Sequence, residues 1–177
     1  MSNLAYKESY NVEDHNLWKG DWELIHGDAY AMSPSPAYGH QFVNLKIARQ
    51  LDEKLDGCKK CSAVIEMDLE LSHDTVVRPD SMVICYEPKD RLTLPPEIVF
   101  EVVSNSSSRR DEILKFNLYQ DEGIKYFVLA YPKLKKAKVY QLIDFKYQKV
   151  GDFQNESFKF ENKECNIEFD FGFIWQK

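Results

Sequence analysis

Two apolar runs of strand length, each carrying an acidic residue, constrain this chain more than any other feature. The first runs from Val76 to Tyr86 with Asp80 inside it, and the second runs from Ile98 to Ser104 with Glu101 in its middle. An ionised carboxylate inside a buried strand costs free energy unless it is paired or binds a metal ion. The two runs therefore indicate a divalent-cation site built on neighbouring strands.

The segment between the two runs predicts an antiparallel hairpin. Residues Glu87 to Glu97 contain three prolines, which is typical of a connecting loop. Folding the strands back about this loop places Asp80 opposite or diagonal to Glu101. The two side chains share a face only if the register has the right parity, because a slip of one residue moves a side chain to the other face. The pattern alone leaves that parity open.

A helix is predicted directly after the second run. It begins among the serines at 106–108, carries acidic residues in its first turn and ends near Gly123. Asp111, Lys115 and Tyr119 are spaced four residues apart and so lie along one helix face. On the helix alone, Asp111 and Lys115 are typical of a surface ion pair of small energetic value. The two strand carboxylates just before the helix favour a place near the site instead.

An ordered set of residues then resembles a known family. Its central members are Arg78-Pro79-Asp80, Glu101-Val102-Val103-Ser104, Asp111, Lys115, Tyr119, Gly123 and Tyr126, and its upstream members are Glu23 to Asp28, Met32-Ser33-Pro34 and His40. This set resembles the "putative restriction endonuclease" domain family of small bacterial proteins, within the PD-(D/E)XK nuclease superfamily. The chain departs from the superfamily pattern at Val103, where a lysine would follow Glu101. Lys115 matches the position where this family carries its lysine.

The resemblance implies a fold and an activity. The expected fold class is α/β, of the α+β type with a mixed sheet. Its restriction-endonuclease-like αβββαβ core would cover about residues 37–131, with an N-terminal hairpin before it and additional C-terminal strands after it. The whole chain, 1–177, would form a single domain. The activity is metal-dependent phosphodiester hydrolysis of nucleic acid, with DNA as the expected substrate and Mg²⁺ or Mn²⁺ as the cofactor.

The resemblance also implies roles for particular residues. Asp80, Glu101 and the main-chain carbonyl of Val102 would hold the metal ion. Lys115 would position the attacking water or stabilise the transition state by its charge. Glu23, His40 and Asp111 are accessory candidates. Glu23 is equally an ordinary polar position on a hairpin strand. A histidine in the first turn of a helix is more often a cap or a surface residue, but the match of His40 to the family favours a functional role, in which it would orient a phosphate or a water.

Periodicity predicts the remaining elements. Apolar residues at helical spacing, Leu45 and Ile47 among them, predict a helix over His40 to Leu55, and strict alternation predicts one strand over Ser62 to Leu71. In that strand Glu66, Asp68 and Glu70 would form a solvated face, although they could supply a third metal ligand. The other predicted strands are a hairpin within Asp21 to Met32, a strand at Lys125 to Tyr131, a hairpin at Lys138 to Ile143 and Phe145 to Val150, and short strands within Phe158 to Phe173 that close the sheet. Tyr119 is expected to pack against the sheet.

Composition bounds the class of protein. With 177 residues, 44% of them hydrophobic, the chain suits one globular domain. No apolar run approaches the length of a membrane span, and Met1 to Tyr10 lacks a secretory signal, so we expect a cytoplasmic protein without a membrane partner. A net charge of −6 argues against a protein that coats nucleic acid through bulk electrostatics. The basic runs Arg109-Arg110 and Lys133 to Lys138 are each typical of a solvated surface.

The four cysteines predict neither a metal site nor a redox site. Cys58 and Cys61 form the only close pair in the sequence, and a zinc site would need a second pair at matching spacing. We therefore expect unpaired thiols in a helix-to-strand turn, with Cys85 as a small core residue.

Two alternative functions and one assembly state complete the expectations. The chain could be a catalytically silent interaction module of the nuclease fold, or a metal-dependent phosphoesterase that acts on small nucleotides. The C-terminal region carries more aromatic residues than a closing hairpin should need, and this surplus suggests a homodimer interface.

Overall fold

Twelve strands in three sheets make up the part of the chain that the computed structural model describes, residues 8–33, 35–104 and 107–177. The strands are β1 Trp22–Ile25, β2 Asp28–Ala31, β3 Ser62–Ile65, β4 Leu69–Ser72, β5 Thr75–Val77, β6 Ser81–Ile84, β7 Ile98–Val102, β8 Tyr126–Tyr131, β9 Lys136–Ile143, β10 Lys146–Phe153, β11 Ser157–Phe160 and β12 Ile167–Asp170. The helices are α1 Val12–His15, α2 Tyr38–Leu55 and α3 Phe116–Asp121, and a π-helical turn, Arg110–Lys115, leads directly into α3.

The main sheet has the strand order β10-β9-β8-β7-β6-β3. Its neighbours are antiparallel except for β7 and β8, which are parallel and are joined by the π-helical turn and α3. Reading α2, β3, β6, β7, α3 and β8 along the chain gives the predicted αβββαβ core in a mixed sheet. That fold class is confirmed.

A second sheet, which we call the side sheet, has the order β2-β1-β5-β4. The predicted N-terminal hairpin forms its first half, and His26 and Gly27 turn between β1 and β2 with positive φ. The other half, β4 and β5, is inserted between β3 and β6 of the core.

Two predicted strands are wrong because each is split between the sheets. The run from Val76 to Tyr86 forms β5 in the side sheet and β6 in the main sheet, with Asp80 at the break. Pro79 lacks a backbone N–H and restricts the residue before it, so the strand cannot continue through it. The run from Ser62 to Leu71 breaks at Glu66, whose φ is 47°.

The alternation in that second run was therefore a poor guide to burial. Ile65 is 52% exposed although the pattern predicted it to be buried. β3 instead packs on both faces, since Ala63 contacts the core under α2 and Val64 contacts the core on the opposite face of the main sheet.

Helix α2 covers one face of the main sheet, as its periodicity predicts. Val43, Ile47, Leu51 and Leu55 form the buried stripe, spaced four residues apart. Leu45, which the pattern also placed in the apolar face, is 67% exposed. Gln50 fixes the helix to β12 through two hydrogen bonds with the backbone of Asp170, of 3.0 and 2.6 Å.

The C-terminal strands form a sheet of their own, not an extension of the main sheet as predicted. The hairpin of β11 and β12 packs beside α2 on the main sheet, and Phe160, Phe169 and Phe171 are fully buried there. Phe160 and Phe169 contact Phe100 of β7 with ring centroids 5.8 and 5.1 Å apart. The aromatic surplus is therefore used within the chain, and the pattern that suggested a homodimer has another explanation.

The expectation of unpaired thiols is wrong. Cys58 is disulfide-bonded to Cys165 and Cys61 to Cys85. The sequence pattern missed this because the partners are 107 and 24 residues apart. Cys61 meets Cys85 through the pairing of β3 with β6, and Cys58 meets Cys165 when the C-terminal hairpin docks beside β3.

Among the described residues, no helix has both the length and the apolar character needed to span a membrane.

Candidate active site

Asp80 lies where the chain passes from β5 of the side sheet to β6 of the main sheet, and Glu101 lies on the neighbouring strand β7. The predicted antiparallel hairpin is confirmed, with Ser81 opposite Phe100. Continuing that register by one residue places Asp80 across from Glu101. The Asp80 carboxylate accepts a hydrogen bond of 2.7 Å from the Val102 backbone N–H. The backbone that carries Glu101 and the side chain of Asp80 are thus in direct contact.

Lys115 lies inside a cluster of carboxylates. Its Nζ is 2.9 Å from Glu101 Oε1, 2.8 Å from Glu23 Oε1 and 3.8 Å from Asp111 Oδ1. All four side chains are almost completely buried. Lys115 therefore joins the main sheet, through Glu101, to the side sheet, through Glu23. Asp111 and Lys115 do not form a solvent-exposed pair, so the surface interpretation of these two residues is wrong.

Two arginines complete the surroundings of Glu23. The Arg78 backbone N–H donates to Glu23 Oε1 at 3.0 Å, and Arg110 Nη1 donates to Oε2 at 3.1 Å. Arg110 also donates to the carbonyl of Ala31 and lies over the ring of Tyr30. The side chain of Arg110 is therefore part of the site, contrary to the prediction that Arg109-Arg110 is a solvated run.

The buried charges shift one another's pKa values. Burial raises the pKa of Glu101 well above its ordinary value, and the negative charges of Asp111, Asp80 and Glu23 raise it further. The positive charge of Lys115 lowers this pKa but does not cancel the increase. Burial likewise raises the pKa of Asp111. Glu23 is the exception, since the charge and hydrogen bond of Lys115, with the Arg78 N–H and Arg110, overcome burial and lower its pKa.

The same contacts keep Lys115 protonated. Burial by itself would lower the pKa of its ammonium, but the charges of Glu101, Glu23 and Asp111 raise it well above the ordinary value. The hydroxyl of Tyr119 donates to Glu101 Oε1 at 2.8 Å. Tyr119 packs against the sheet as predicted, and its hydrogen bond to Glu101 is a further contact that the pattern did not indicate.

A second group of polar residues surrounds Asp80 on the side of α2. His40 Nε2 is 3.2 Å from Asp80 Oδ2, and Asn44 Nδ2 donates to the Asp80 carbonyl at 3.3 Å. Ser81 in turn donates to Asn44 Oδ1 at 2.6 Å. His40 Nδ1 is buried and has no hydrogen-bond partner among the described residues. Burial would lower the pKa of His40, but its hydrogen bond with Asp80 and the charge of that residue raise it.

The structure thus brings together the six side chains that the sequence singled out: Glu23, His40, Asp80, Glu101, Asp111 and Lys115. It adds Arg78, Arg110, Asn44 and the hydroxyl of Tyr119. Arg78 and Tyr119 belong to the family resemblance, but no sequence pattern indicated Asn44. Arg78 stood beside Pro79-Asp80, but its role depends on a backbone contact that no pattern predicts. Glu66, Asp68 and Glu70 make no contact with Glu101 among the described residues. Glu66 instead lies beside Asp80, since it accepts a hydrogen bond of 3.4 Å from Asn44 and its backbone N–H donates to the Asp80 carbonyl at 3.2 Å, and Asp68 pairs with the side chain of Arg78.

The carboxylates could supply few ligands to any one ion. Within the described ranges, the groups of three or more His, Cys, Asp or Glu ligand atoms lying within 4.8 Å of one another include none at this site. At most two of these side chains could therefore share an ion, and Asp80 and Glu101 lie opposite each other on paired backbone. That number suits Mg²⁺, which retains several waters and binds through one or two carboxylates together with substrate phosphate.

Comparison with known proteins adds a family to this geometry. The profile of the Uma2 family, described as "Putative restriction endonuclease", matches residues 12–162. The chain belongs to this family. The matched span contains all six side chains of the site and ends before Cys165 and β12. No curated protein matches the chain.

A solved structure has a fold similar to that of this chain. It is the crystal structure of a putative nuclease belonging to DUF820 from Anabaena variabilis, with a TM-score of 0.77 over 94% of this chain and 97% of that chain. The two sequences are 13% identical, so the likeness concerns the fold.

Proposed function

We propose that this Uma2 family member is an endonuclease that hydrolyses phosphodiester bonds of nucleic acid with Mg²⁺ or Mn²⁺, and that DNA is its substrate. One observation carries the proposal: a buried lysine held within 3 Å of two carboxylates from different sheets, beside a third carboxylate on the adjoining strand. The family description and the nuclease fold of the Anabaena variabilis protein support the same class of reaction.

Asp80 and Glu101 are the residues that would hold the ion, together with the Val102 carbonyl. The donor set fits, because hard carboxylate oxygens and an excess of negative charge favour a divalent cation. Asp80 is the accessible member, with 17% of its side chain exposed, whereas Glu101 is buried behind it. When bound, the ion would polarise the phosphate and lower the pKa of a coordinated water.

Lys115 acts in this proposal as a fixed positive charge. Its raised pKa keeps the ammonium protonated, so it does not serve as a base. Glu23 and Glu101 orient it, and a charge held in a site without water stabilises a negatively charged transition state more than it would in solution. The role assigned from the family resemblance is thus narrowed to charge and orientation.

His40 is the group placed to contact a water or a phosphate oxygen. A buried ring nitrogen without a partner is costly, and such a group in a native site calls for a partner that binds there. Asp80 orients the ring through the other nitrogen, which leaves Nδ1 for substrate or water.

The two alternative functions fit less well. A silent interaction module has no need for Asp80, Glu101 and Lys115 to be gathered with their supporting contacts intact. A phosphoesterase for small nucleotides would need an enclosed pocket at these residues. The two described cavities, of about 380 and 260 Å³, are lined by other residues, Glu66 and Arg78 among them in the first, and not by Asp80, Glu101 or Lys115.

The decisive experiment is a cleavage assay paired with calorimetry. Linear and circular DNA, RNA and small nucleotide diesters are incubated with Mg²⁺ or Mn²⁺, using wild type, Asp80→Asn and the matched surface control Asp52→Asn. We expect DNA cleavage and Mn²⁺ binding by wild type and Asp52→Asn, and the loss of both in Asp80→Asn with the fold intact.

Each other outcome of this assay decides between the candidates. Equal cleavage by Asp80→Asn and wild type would remove Asp80 from the site. Hydrolysis confined to small diesters would replace our proposal with the phosphoesterase. Intact metal binding without hydrolysis of any substrate would favour the silent module.

Assembly as a homodimer would let two such sites reach both strands of a duplex, and we retain it as part of the proposal. Light scattering at micromolar concentration tests it, and a monomer mass in the presence of DNA would exclude it.

A further inference from the structure

Four cysteines that are far apart in the sequence meet at one corner of the fold. Cys58 and Cys61 lie between the end of α2 and the start of β3, Cys85 directly follows β6, and Cys165 lies in the turn between β11 and β12. Cys61 is buried in the core beneath α2, and the other three pack against that core. They are all the cysteines that the chain has.

The sulfurs of both disulfides lie close together. The Sγ atoms of Cys58, Cys61 and Cys165 are within 4.8 Å of one another, and the Cys85 sulfur is bonded to that of Cys61. Zinc–thiolate bonds of about 2.3 Å in a tetrahedron would separate the sulfurs by roughly 3.8 Å. Three of the sulfurs are therefore near the spacing that one ion requires, and reduction of the disulfide to Cys61 frees the Cys85 sulfur as the fourth ligand.

Backbone structure, not sulfur bonding, sets this arrangement. Ser62 of β3 pairs with Ile84 of β6, and continuing that register by one residue places Cys61 opposite Cys85. Their Cα atoms are 4.0 Å apart, which is below the range of about 4.4–6.8 Å usual for disulfides. The Cys58-x-x-Cys61 spacing supplies the second pair on one turn, as zinc sites commonly do.

The surroundings favour thiolates. The Cys61 backbone N–H donates to Cys58 Sγ at 3.3 Å, and Asn162 Nδ2 donates to Cys85 Sγ at 3.1 Å. Lys59 and Lys60 lie between the first two cysteines, and Lys60 pairs with Glu164 beside Cys165. Hydrogen-bond donors near a sulfur stabilise metal thiolates.

We propose that Cys58, Cys61, Cys85 and Cys165 of the reduced protein form a tetrathiolate Zn²⁺ site. Binding one ion releases up to four thiol protons and involves no oxidation. The bound metal and the two disulfides are alternative states of the same sulfurs. With four protein ligands the site is structural, and it joins the edge strand β3 and the end of β6 to the C-terminal hairpin. The site lies on separate residues from the carboxylate cluster, so it does not depend on the proposed nuclease activity.

The first test is the metal content of the protein. Protein purified under reducing conditions without chelators is analysed for bound metal and for reactive thiols. We expect one zinc per chain and no thiols that react rapidly until a chelator is added. Reduced protein that contains no zinc, and that takes up none from one equivalent of added Zn²⁺, would overturn the proposal.

Cobalt substitution reports the ligand set directly. Zinc-free reduced protein titrated with Co²⁺ should develop the visible absorption of a tetrahedral thiolate complex, complete at one equivalent, and added Zn²⁺ should abolish it. Absorption typical of octahedral, oxygen-bound Co²⁺ would count against the site.

Substitutions separate the zinc site from a pair of independent disulfides. Cys85→Ser removes one ligand, so it should greatly weaken Zn²⁺ binding and make the thiols of Cys58 and Cys165 reactive in reduced protein. Asn162→Ala keeps all four ligands but removes a donor to Cys85, and we expect affinity to fall about 10–100-fold. Unchanged zinc affinity in Cys85→Ser would refute the four-cysteine site. If Cys85→Ser does not fold, competition of a chromophoric chelator with wild type for Zn²⁺ gives the affinity instead, and an affinity too weak to compete would have the same meaning.

Discussion

At the scale of single residues, Lys115 controls the charge of the site. It is surrounded by three carboxylates, two of them within 3 Å, and all four side chains are almost completely buried. Removing one partner of a buried ion pair is costly, because the other charge stays buried without compensation. Lys115 is therefore a structural counter-ion in the metal-free protein as well as the proposed catalytic charge.

The substitution Lys115→Met keeps most of the stem volume and removes this charge. We expect it to reduce hydrolysis by about 10²–10³-fold, the scale for loss of one transition-state donor. Metal binding should be retained, because the cluster becomes more negative. The metal-free protein should lose about 3–5 kcal/mol of stability. Rates with saturating metal, Mn²⁺ calorimetry and urea unfolding measure the three effects.

Arg49→Met is the matched control. Arg49 forms an ion pair with Glu53 at the same four-residue helical spacing, but both side chains are more than half exposed. Its loss should change stability by less than about 1 kcal/mol and leave the rate unchanged. A fully active Lys115→Met protein would contradict the role that we assign to this residue.

Asp111 gives a prediction about pH. Burial raises the pKa of its carboxyl above the ordinary value, so the folded state binds this proton more tightly than the unfolded state does. Its contribution to stability therefore decreases as pH rises from the unfolded pKa, about 3.9, to the folded pKa, and stays low above that window. Asp111→Asn should make the protein more stable than wild type at pH 7 without added divalent cations.

The gain should disappear as pH falls below about 4, where the wild-type carboxyl is neutral in both states. Urea unfolding at several pH values measures it. Asp52→Asn, at an exposed position of α2, should leave stability almost unchanged across the same range. Lower stability of Asp111→Asn at pH 7 would show that the ionised carboxylate stabilises the fold, contrary to our interpretation.

At the scale of elements, the π-helical turn before α3 brings together two side chains, Arg110 and Lys115, that an α-helix would separate. It spans Arg110–Lys115 and points Arg110 and Lys115 at the same residue, Glu23. A π-helical turn accommodates one extra residue in a helix and is frequent at functional sites. The predicted helix was correct in position, but its pattern of polar residues did not indicate this widening.

Deletion of Ile113 tests the importance of the turn. Ile113 is 56% exposed, so its loss removes little packing. The deletion should restore α-helical spacing and turn Arg110 and Asp111 by about 100° relative to Lys115. We expect the contact between Arg110 and Glu23 to be lost and hydrolysis to fall sharply, with helical content by circular dichroism unchanged.

Ile113→Ala, which keeps the length of the turn, is its control and should retain full activity. A deletion variant as active as the control would mean that the π-helical turn has no functional role.

At the scale of the whole molecule, the site lies where two sheets and one helix meet. Glu101 comes from the main sheet, Glu23 from the side sheet, and Lys115 from the helix that connects β7 to β8. The C-terminal hairpin buries the opposite face of the main sheet, with α2, in a cluster rich in phenylalanine. The carboxylate cluster therefore has a rigid support on both sides of the main sheet, which proposed catalytic groups need for accurate placement.

The amino-acid sequence by itself determined the local elements and the identity of the central residues. Apolar stripes four residues apart specify α2, and apolar runs such as those of β7 and β8 specify strands, because these patterns depend on the geometry of each element alone. The runs 62–71 and 76–86 indicated strands but not the break within each. The proline-rich loop specified the hairpin of β6 and β7, but the register that brings Asp80 opposite Glu101 came from the structure.

Only the tertiary structure decided which distant residues meet. Docking of the side sheet decides that Lys115 and Arg110 pair with Glu23 and that two predicted strands are divided between sheets. Docking of the C-terminal hairpin completes the group of four cysteines. The packing of whole elements against one another decides how they dock. Burial of a charged side chain then costs or contributes far more free energy than the same charge does on the surface. A surface ion pair and a buried lysine among carboxylates therefore have the same local sequence pattern, and their surroundings alone distinguish them.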